Sequence, residues 1–209
     1  MLILSHRGYW LNAFEKNQPI AFKRSFDLGF GTETDVRDCA GRLVISHDMP
    51  TCDALDLDDF LQIYAQNTYP LAINIKADGL IMPLKRAMRA AHVTDWFVFD
   101  MSIPDMRQYL QAGVSVFARM SEVEQSTPWM EKVAGIWLDG FSGPWYSLDL
   151  IRTLLNKNLR VCIVSPELHG LTHEAFWTQL KPISGQDGLM LCTDFPEQAA
   201  QFFERKECL

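Results

Sequence analysis

Cysteine is scarce and unpatterned in this sequence: Cys39, Cys52, Cys162, Cys192 and Cys208, with no CxxC spacing among the five. An odd, unpaired set argues against a disulfide framework and fits a reducing compartment, so these residues read as core or surface thiols. Basic charge is also in deficit. Lys and Arg number 19 against 26 Asp and Glu, a formal charge of −7, which argues against nucleic-acid binding because neutralising a phosphate backbone needs a basic surface. A small phosphate ligand stays admissible, since one local cluster of cations can reverse the sign. No apolar run approaches the roughly 20 residues that span a bilayer. The apolar start at 1–5 meets His6 and Arg7 before it could form a signal-peptide core. A cytoplasmic protein without a transmembrane segment is therefore expected. Glycine-rich phosphate loops are missing too: the first apolar run ends in HRGYW, with one glycine, which counts against a doubly wound nucleotide-binding sheet.

What the sequence does contain is a regular order of short, β-rich runs. Eight recur: LILS (2–5), GTETDV (31–36), PLAINI (70–75), DWFVF (95–99), VSVFA (114–118), GIWLD (135–139), LRVCIV (159–164) and GLMLCT (188–193). Each is followed by a stretch whose apolar residues recur every three or four positions, the helical period. Asp56, Ser102, Ser147 and Thr172 suit helix starts, and Gly29 and Gly113 suit helix ends. The order predicts an α/β protein, a single (β/α)8 TIM barrel over 1–209 as one domain, with a small hairpin after the second strand and no large insertion.

In such a barrel the chemistry sits where strands end. The runs end in His6, then Glu33 and Asp35, then Asn74 and Lys76, and later in Asp100, Arg119, Asp139, Ser165 and Asp194. The last five read as ordinary polar strand ends reaching solvent. Glu33 and Asp35 share strand parity, so both point into the barrel mouth. Two carboxylates held that close repel unless one is protonated or a cation lies between them. All-oxygen ligands suit a hard divalent ion, Mg²⁺ or Ca²⁺. The stretch DCAG (38–41) is a plausible tight turn, after which RLVIS returns and is expected to bring His47 opposite Asp35. His6 approaches from the neighbouring strand. Two imidazoles beside an ion-bound anion form a general acid and base pair.

SHRG, NQPIAFKRSFDLGF, ETDVRDCAGRLVISHD and INIK together resemble the glycerophosphodiester phosphodiesterase family. That family is one of the phospholipase-C-like barrel phosphodiesterases, with phosphatidylinositol-specific phospholipase C and sphingomyelinase D. The match is dense over residues 3–48, with weaker echoes at 71–76 and in GQDGLMLCTDFPEQA. The resemblance implies a metal-dependent phosphoric diester hydrolase acting on a small-molecule or lipid-head-group phosphodiester. It makes His6 and His47 the acid/base pair, and Glu33, Asp35 and the position of Asn74 the metal ligands. Arg7 and Lys76 become the phosphate contacts. A route through a cyclic phosphate, closed by a substrate hydroxyl, is part of the same implication.

Departures from the family pattern sharpen the expectations. Asn74 stands where the family carries a glutamate. One neutral carbonyl oxygen in place of a carboxylate predicts a looser ion, aided by water, Asp48 or Asp78. The rival expectation is a non-catalytic phosphate-binding barrel that has lost its metal. A Glu-Asn pair of the family appears here as Lys16-Asn17, with Glu15 displaced by one. The stretch after His47 is short, so the site is expected to be open, with Tyr9, Trp10, Trp137, Phe141 and Trp145 lining a groove. Arg119, Asp139 and Trp137 are the candidate substrate contacts. His169 and His173 read as a capping and surface pair, Glu167 and His169 as rim residues, and His92 as lying on the opposite face. A glycosidase pairing one acid with Asp139 fits poorly, because Glu33 and Asp35 sit too close along one strand.

Overall fold

The structure is a computed structural model and describes residues 1–204. β1 (Leu2–His6) leads through a short 3-10 turn at Ala13–Glu15 to α1 (Pro19–Asp27). β2 (Gly31–Cys39) folds back through β3 (Arg42–Ile45) and β4 (Leu55–Asp56) into α2 (Leu57–Tyr64). Then come β5 (Leu71–Ile75), α3 (Ile81–Ala90), β6 (Trp96–Phe99), α4 (Ile103–Gln111) and β7 (Phe117–Met120). The described residues continue through β8 (Gly135–Leu138), α5 (Leu148–Asn156), β9 (Arg160–Val164), α6 (Glu174–Leu180), β10 (Leu189–Thr193) and α7 (Pro196–Glu204).

The pairing is parallel from β6 through β5, β2 and β1 to β10, and onward through β9 and β8 to β7. Between β6 and β7 the link is thin: one parallel bridge, Val98 to Val116, and the Val98 N–H donating to the Ser115 carbonyl at 3.0 Å. Eight parallel strands thus follow one another in the α/β order of a TIM barrel. β3 and β4 lie off this path as an antiparallel extension of β2, the expected hairpin.

Three local expectations shift. Residues 121–134, between β7 and β8, form turns instead of a helix; Ser121 and Glu124 exchange two backbone hydrogen bonds and Pro128 follows, so the segment closes on itself. The helix expected at Thr172 begins at Glu174, with His173 in the capping place. Asp56 precedes α2 without bonding to it, because its carboxylate holds Arg42 at 2.8 Å. Ser102 and Ser147 do cap their helices, accepting from the N–H of Asp105 and of Leu150.

Strand periodicity sorts the core into two shells. In β8 to β10, Ile136, Leu138, Val161, Ile163, Leu189 and Leu191 face outward to the helices. Their alternates Trp137, Cys162, Val164, Met190 and Cys192 face inward, joined by Leu4, Ala72, Phe97, Phe99 and Phe117. Phe97 stacks on Phe117 with ring centres 3.7 Å apart, and Phe99 on Trp137 at 3.8 Å. Such pairs add about 0.5–1.5 kcal/mol each beyond burial. These two stacks form an apolar floor beneath the mouth. Trp137 is therefore a floor residue, 4% exposed, and not the groove-lining aromatic expected.

One glycine fixes how the chain leaves β1. Gly8 has φ +80°, and a Cβ there would lie 2.8 Å from the Ala21 Cβ of α1. Gly8→Ala combines a left-handed backbone with overlap against a helix, and is expected to cost roughly 2–4 kcal/mol. A fall in the urea midpoint measures it; an unchanged midpoint would show that α1 yields freely.

Candidate active site

The inward column of each strand changes character as it climbs. Leu4 is followed by His6, Ala72 by Asn74 and then Lys76, Phe117 by Arg119, Trp137 by Asp139, and Cys192 by Asp194. On β2 the column is Glu33 and Asp35. The apolar residues form the floor, and the polar ones above them make the mouth.

Asp35 is the hub. It is fully buried and accepts from the Asn17 amide at 2.8 Å. Arg7 Nε lies 3.2 Å from its Oδ2, and Lys76 Nζ lies 3.3 Å from its Oδ1. Asn17 is itself held, accepting from Thr34 Oγ1 at 2.9 Å and donating its N–H to the Arg7 carbonyl. Glu33, 2% exposed, accepts the Arg7 N–H at 3.1 Å. Burial pushes the Glu33 carboxyl well above its usual range, and Asp35 adds repulsion that Arg7 and Lys76 only partly offset.

Arg7 and Asp100 reach this mouth by unusual backbone. Strand parity would turn both away, but each adopts a left-handed conformation, φ 58° and 63°, of the kind that collects at functional sites. Asp100 thereby accepts from the Asn74 amide at 3.3 Å and lies 3.3 Å from Arg119.

The two expected catalytic histidines differ in setting. His6 is held by Asp194, Nδ1 to Oδ1 at 2.7 Å, and its Nε2 lies 4.0 Å from Glu33 Oε2. Burial lowers the His6 pKa, outweighing the upward pull of Asp194. His47 stands on the rim with its side chain 40% exposed, its Nδ1 2.8 Å from Asp48. Arg37 donates twice to the His47 carbonyl at 3.1 Å and so pins the end of the hairpin. The hairpin register pairs Val36 with Ile45, and the Ser46 N–H bonds the Asp35 carbonyl. It is Ser46, one residue earlier than expected, that sits opposite Asp35.

No protein-family profile matches the chain, and no curated protein does. Solved structures do. A candidate glycerophosphodiester phosphodiesterase from Galdieria sulphuraria superposes with a TM-score of 0.78 at 15% identity, over 98% of each chain. A glycerophosphodiester phosphodiesterase from Agrobacterium tumefaciens gives 0.69 at 19%, over 97% of this chain and 98% of that one. A phosphodiesterase from Oleispira antarctica, in complex with the product sn-glycerol-3-phosphate, gives 0.73 at 14%, over 98% and 97%. The fold is that of the glycerophosphodiester phosphodiesterases. The likeness in fold extends over almost the whole chain.

Within that phosphodiesterase fold, His6, Arg7, Glu33, Asp35, Asn74 and Lys76 share one mouth. Among the described residues no three His, Cys, Asp or Glu side chains are placed to hold a metal ion, and the third expected position is the amide of Asn74. Yet Asn74 Oδ1 is buried with no hydrogen-bond partner, and Asp35 Oδ1 has only the Lys76 ion pair at 3.3 Å. An oxygen left wholly without a partner, as on Asn74, is rare in native proteins and costs about 1–3 kcal/mol. The two oxygens lie on register partners of neighbouring strands, and a hard cation is the ligand that such oxygens suit.

The remaining candidates are spread along the rim. Arg119 bonds Glu124 at 2.8 Å and stands beside Phe141. Asp139 is taken by His169 at 2.7 Å, and its carbonyl accepts from Trp145. Asp48 and Asp78, the expected auxiliary ligands, bond His47 and Ser102 instead. Tyr9 reaches outward to Glu197, Trp10 donates to the His6 carbonyl, and Phe141 is an exposed rim aromatic. Glu15 carries the N–H of Leu11 and the guanidinium of Arg24. His92 follows α3 at the opposite end. Sequence reasoning missed Asn17, Asp100 and Asp194 as site residues. Glu167 was named only as a rim residue; it accepts from Ser165, from Thr193 and from the N–H of Asp194.

Proposed function

We propose that the chain is a metal-dependent phosphodiesterase that cleaves a glycerophosphodiester or related small phosphodiester by histidine general acid–base catalysis. The observation that carries this is the orientation of His6, whose Nδ1 is fixed by Asp194 while Nε2 faces the buried Glu33–Asp35 pair. The shared fold with a phosphodiesterase bound to sn-glycerol-3-phosphate supports the same reading.

Glu33, Asp35 and the carbonyl oxygen of Asn74 would hold Mg²⁺ or Ca²⁺. When bound, the ion supplies positive charge to a non-bridging phosphate oxygen, where negative charge grows in the transition state. Arg7 and Lys76, which now crowd Asp35, are free to share their charge with other phosphate oxygens, the first as a fork and the second as a point charge. Neutral His6 donates Nδ1–H to Asp194, which leaves the Nε2 lone pair to take the proton of an attacking hydroxyl. His47, exposed and bonded to Asp48, is suited to protonate the departing alkoxide. If the attacking hydroxyl belongs to the substrate, a cyclic phosphate results, which water opens by the reverse proton transfers.

The test is turnover of bis(p-nitrophenyl) phosphate and of glycerophosphocholine with Mg²⁺, Mn²⁺ or Ca²⁺. Activity is expected with at least one ion and lost with chelator. His6→Ala and His47→Ala should each lose on the order of 10²–10⁴-fold with the circular dichroism spectrum retained. Phosphate binding without turnover would favour a non-catalytic barrel instead.

A further inference from the structure

An amide at position 74 leaves the expected ion site short of one negative charge, yet a carboxylate stands directly behind it. Asp100 accepts from Asn74 Nδ2 at 3.3 Å. An ionised carboxylate can only accept hydrogen bonds, so the Asn74 amide must turn its NH₂ toward Asp100 and its carbonyl oxygen away. That oxygen is buried without a partner, on a residue only 7% exposed that is the register partner of Asp35. Asp100 reaches the position through a left-handed backbone conformation (φ 63°), and Arg119 Nη1 lies 3.3 Å from its other oxygen.

Resting on the reading of Glu33 and Asp35 as ligands of a divalent ion, we propose that Asp100 is a positioning residue for that site. It fixes the Asn74 amide with its carbonyl oxygen toward the acidic pair, and it returns the negative charge that an amide lacks. Asn74 and Asp100 form one unit, an inner neutral ligand backed by an outer charge. Partners of this kind orient metal ligands and commonly change affinity 10–100-fold when removed. Asp48 bonds His47 and Asp78 bonds Ser102, so neither is the carboxylate that holds the Asn74 amide.

The experiment measures Mn²⁺ affinity by calorimetry, without substrate, for the wild type, Asp100→Asn and the exchanged pair Asn74→Glu/Asp100→Asn. Asparagine tolerates left-handed backbone better than most residues, so Asp100→Asn should keep the fold, as circular dichroism and the metal-free melting temperature report. Expected are a loss of about 10–100-fold in Asp100→Asn and recovery to near wild-type affinity in the exchanged pair. Affinity unchanged in Asp100→Asn overturns the assignment while leaving the ion site standing. A loss that the exchange does not recover also overturns it, because Asp100 would then act apart from position 74. A wild type that takes up no Mn²⁺ removes the ion site itself, and this inference with it.

Discussion

Glu33→Gln is expected to abolish turnover and at the same time to raise the melting temperature of the metal-free protein. Glu33 is enclosed beside Asp35, and burial first, then that neighbour, hold its pKa well above the ordinary value. A carboxyl whose folded pKa is raised contributes most to stability below its unfolded pKa, about 4.5. That contribution is lost as pH rises through the folded value. At neutral pH and above, the ionised form is therefore strained, and a neutral amide of the same shape relieves the strain. Each unit by which a carboxyl pKa is raised corresponds to about 1.4 kcal/mol against the ionised form, so a neutral amide is expected to stabilise by about 1 kcal/mol or more. For a chain of this length that is a rise of about 2–4 °C. The gain should shrink as pH falls toward 4.5. Activity moves the other way, on the order of 10³-fold or more, since charge complementary to the transition state is removed. Adding Mn²⁺ should raise the melting temperature of the wild type, because an ion that binds only the folded state stabilises it, and leave the variant unmoved. A variant that melts lower than wild type at pH 8 without metal would show that Glu33 is already well solvated or paired.

That opposition between stability and activity explains why parts of the site are legible in the sequence. Glu33 and Asp35 could be read because strand parity is a local property and no apolar core position accepts two acids without a reason. The eight strands could be read for the same cause, since their apolar alternation is local. What escaped reading is what depends on backbone outside the repeating conformations or on neighbours far along the chain. Asp100 enters the mouth through positive φ, where parity assigns it to the wrong face; Arg7 does the same and was legible only through the family resemblance. The hairpin turns on Ala40 and Gly41, both with positive φ, and pairs Cys39 with Arg42. That register sets Ser46 against Asp35 and leaves His47 beyond the ladder. Trp137 shares inward parity with Asp139, but its height in the barrel is set by the stagger of the strands. One step lower puts it in the floor against Phe99. Asp194 read as a polar strand end, because nothing local ties residue 194 to residue 6. Only the pairing of β1 with β10 does so, with Ser5 beside Thr193.

Asp194→Asn tests that long-range tie. The carboxylate holds His6 Nδ1 at 2.7 Å and is steadied by its own N–H bonding Glu167 at 3.2 Å. An ionised Asp194 can only accept, so it places the imidazole proton on Nδ1 and leaves Nε2 bare toward Glu33. Asparagine can present its NH₂ to the ring instead, which moves the proton to Nε2 and removes the base from the mouth. It also deletes the hydrogen bond and charge that raise the His6 pKa, leaving burial, the larger influence and a lowering one, unopposed. Two effects follow with defined signs. The turnover number should fall by about 10²–10⁴-fold, with the Michaelis constant changed far less, since the phosphate contacts of Arg7 and Lys76 are untouched. The acidic limb of the pH profile should move to lower pH, because a base with a lower pKa loses its proton earlier as pH rises. A merely structural Asp194 would lower the melting temperature without moving that limb. Glu197, which bonds Tyr9 on the outer surface, supplies the control: Glu197→Gln should leave both the plateau and the limb where they are. If Asp194→Asn matched wild type in turnover and in the position of the limb, His6 would not be the base, and the proton would have to leave by the His47 side of the mouth.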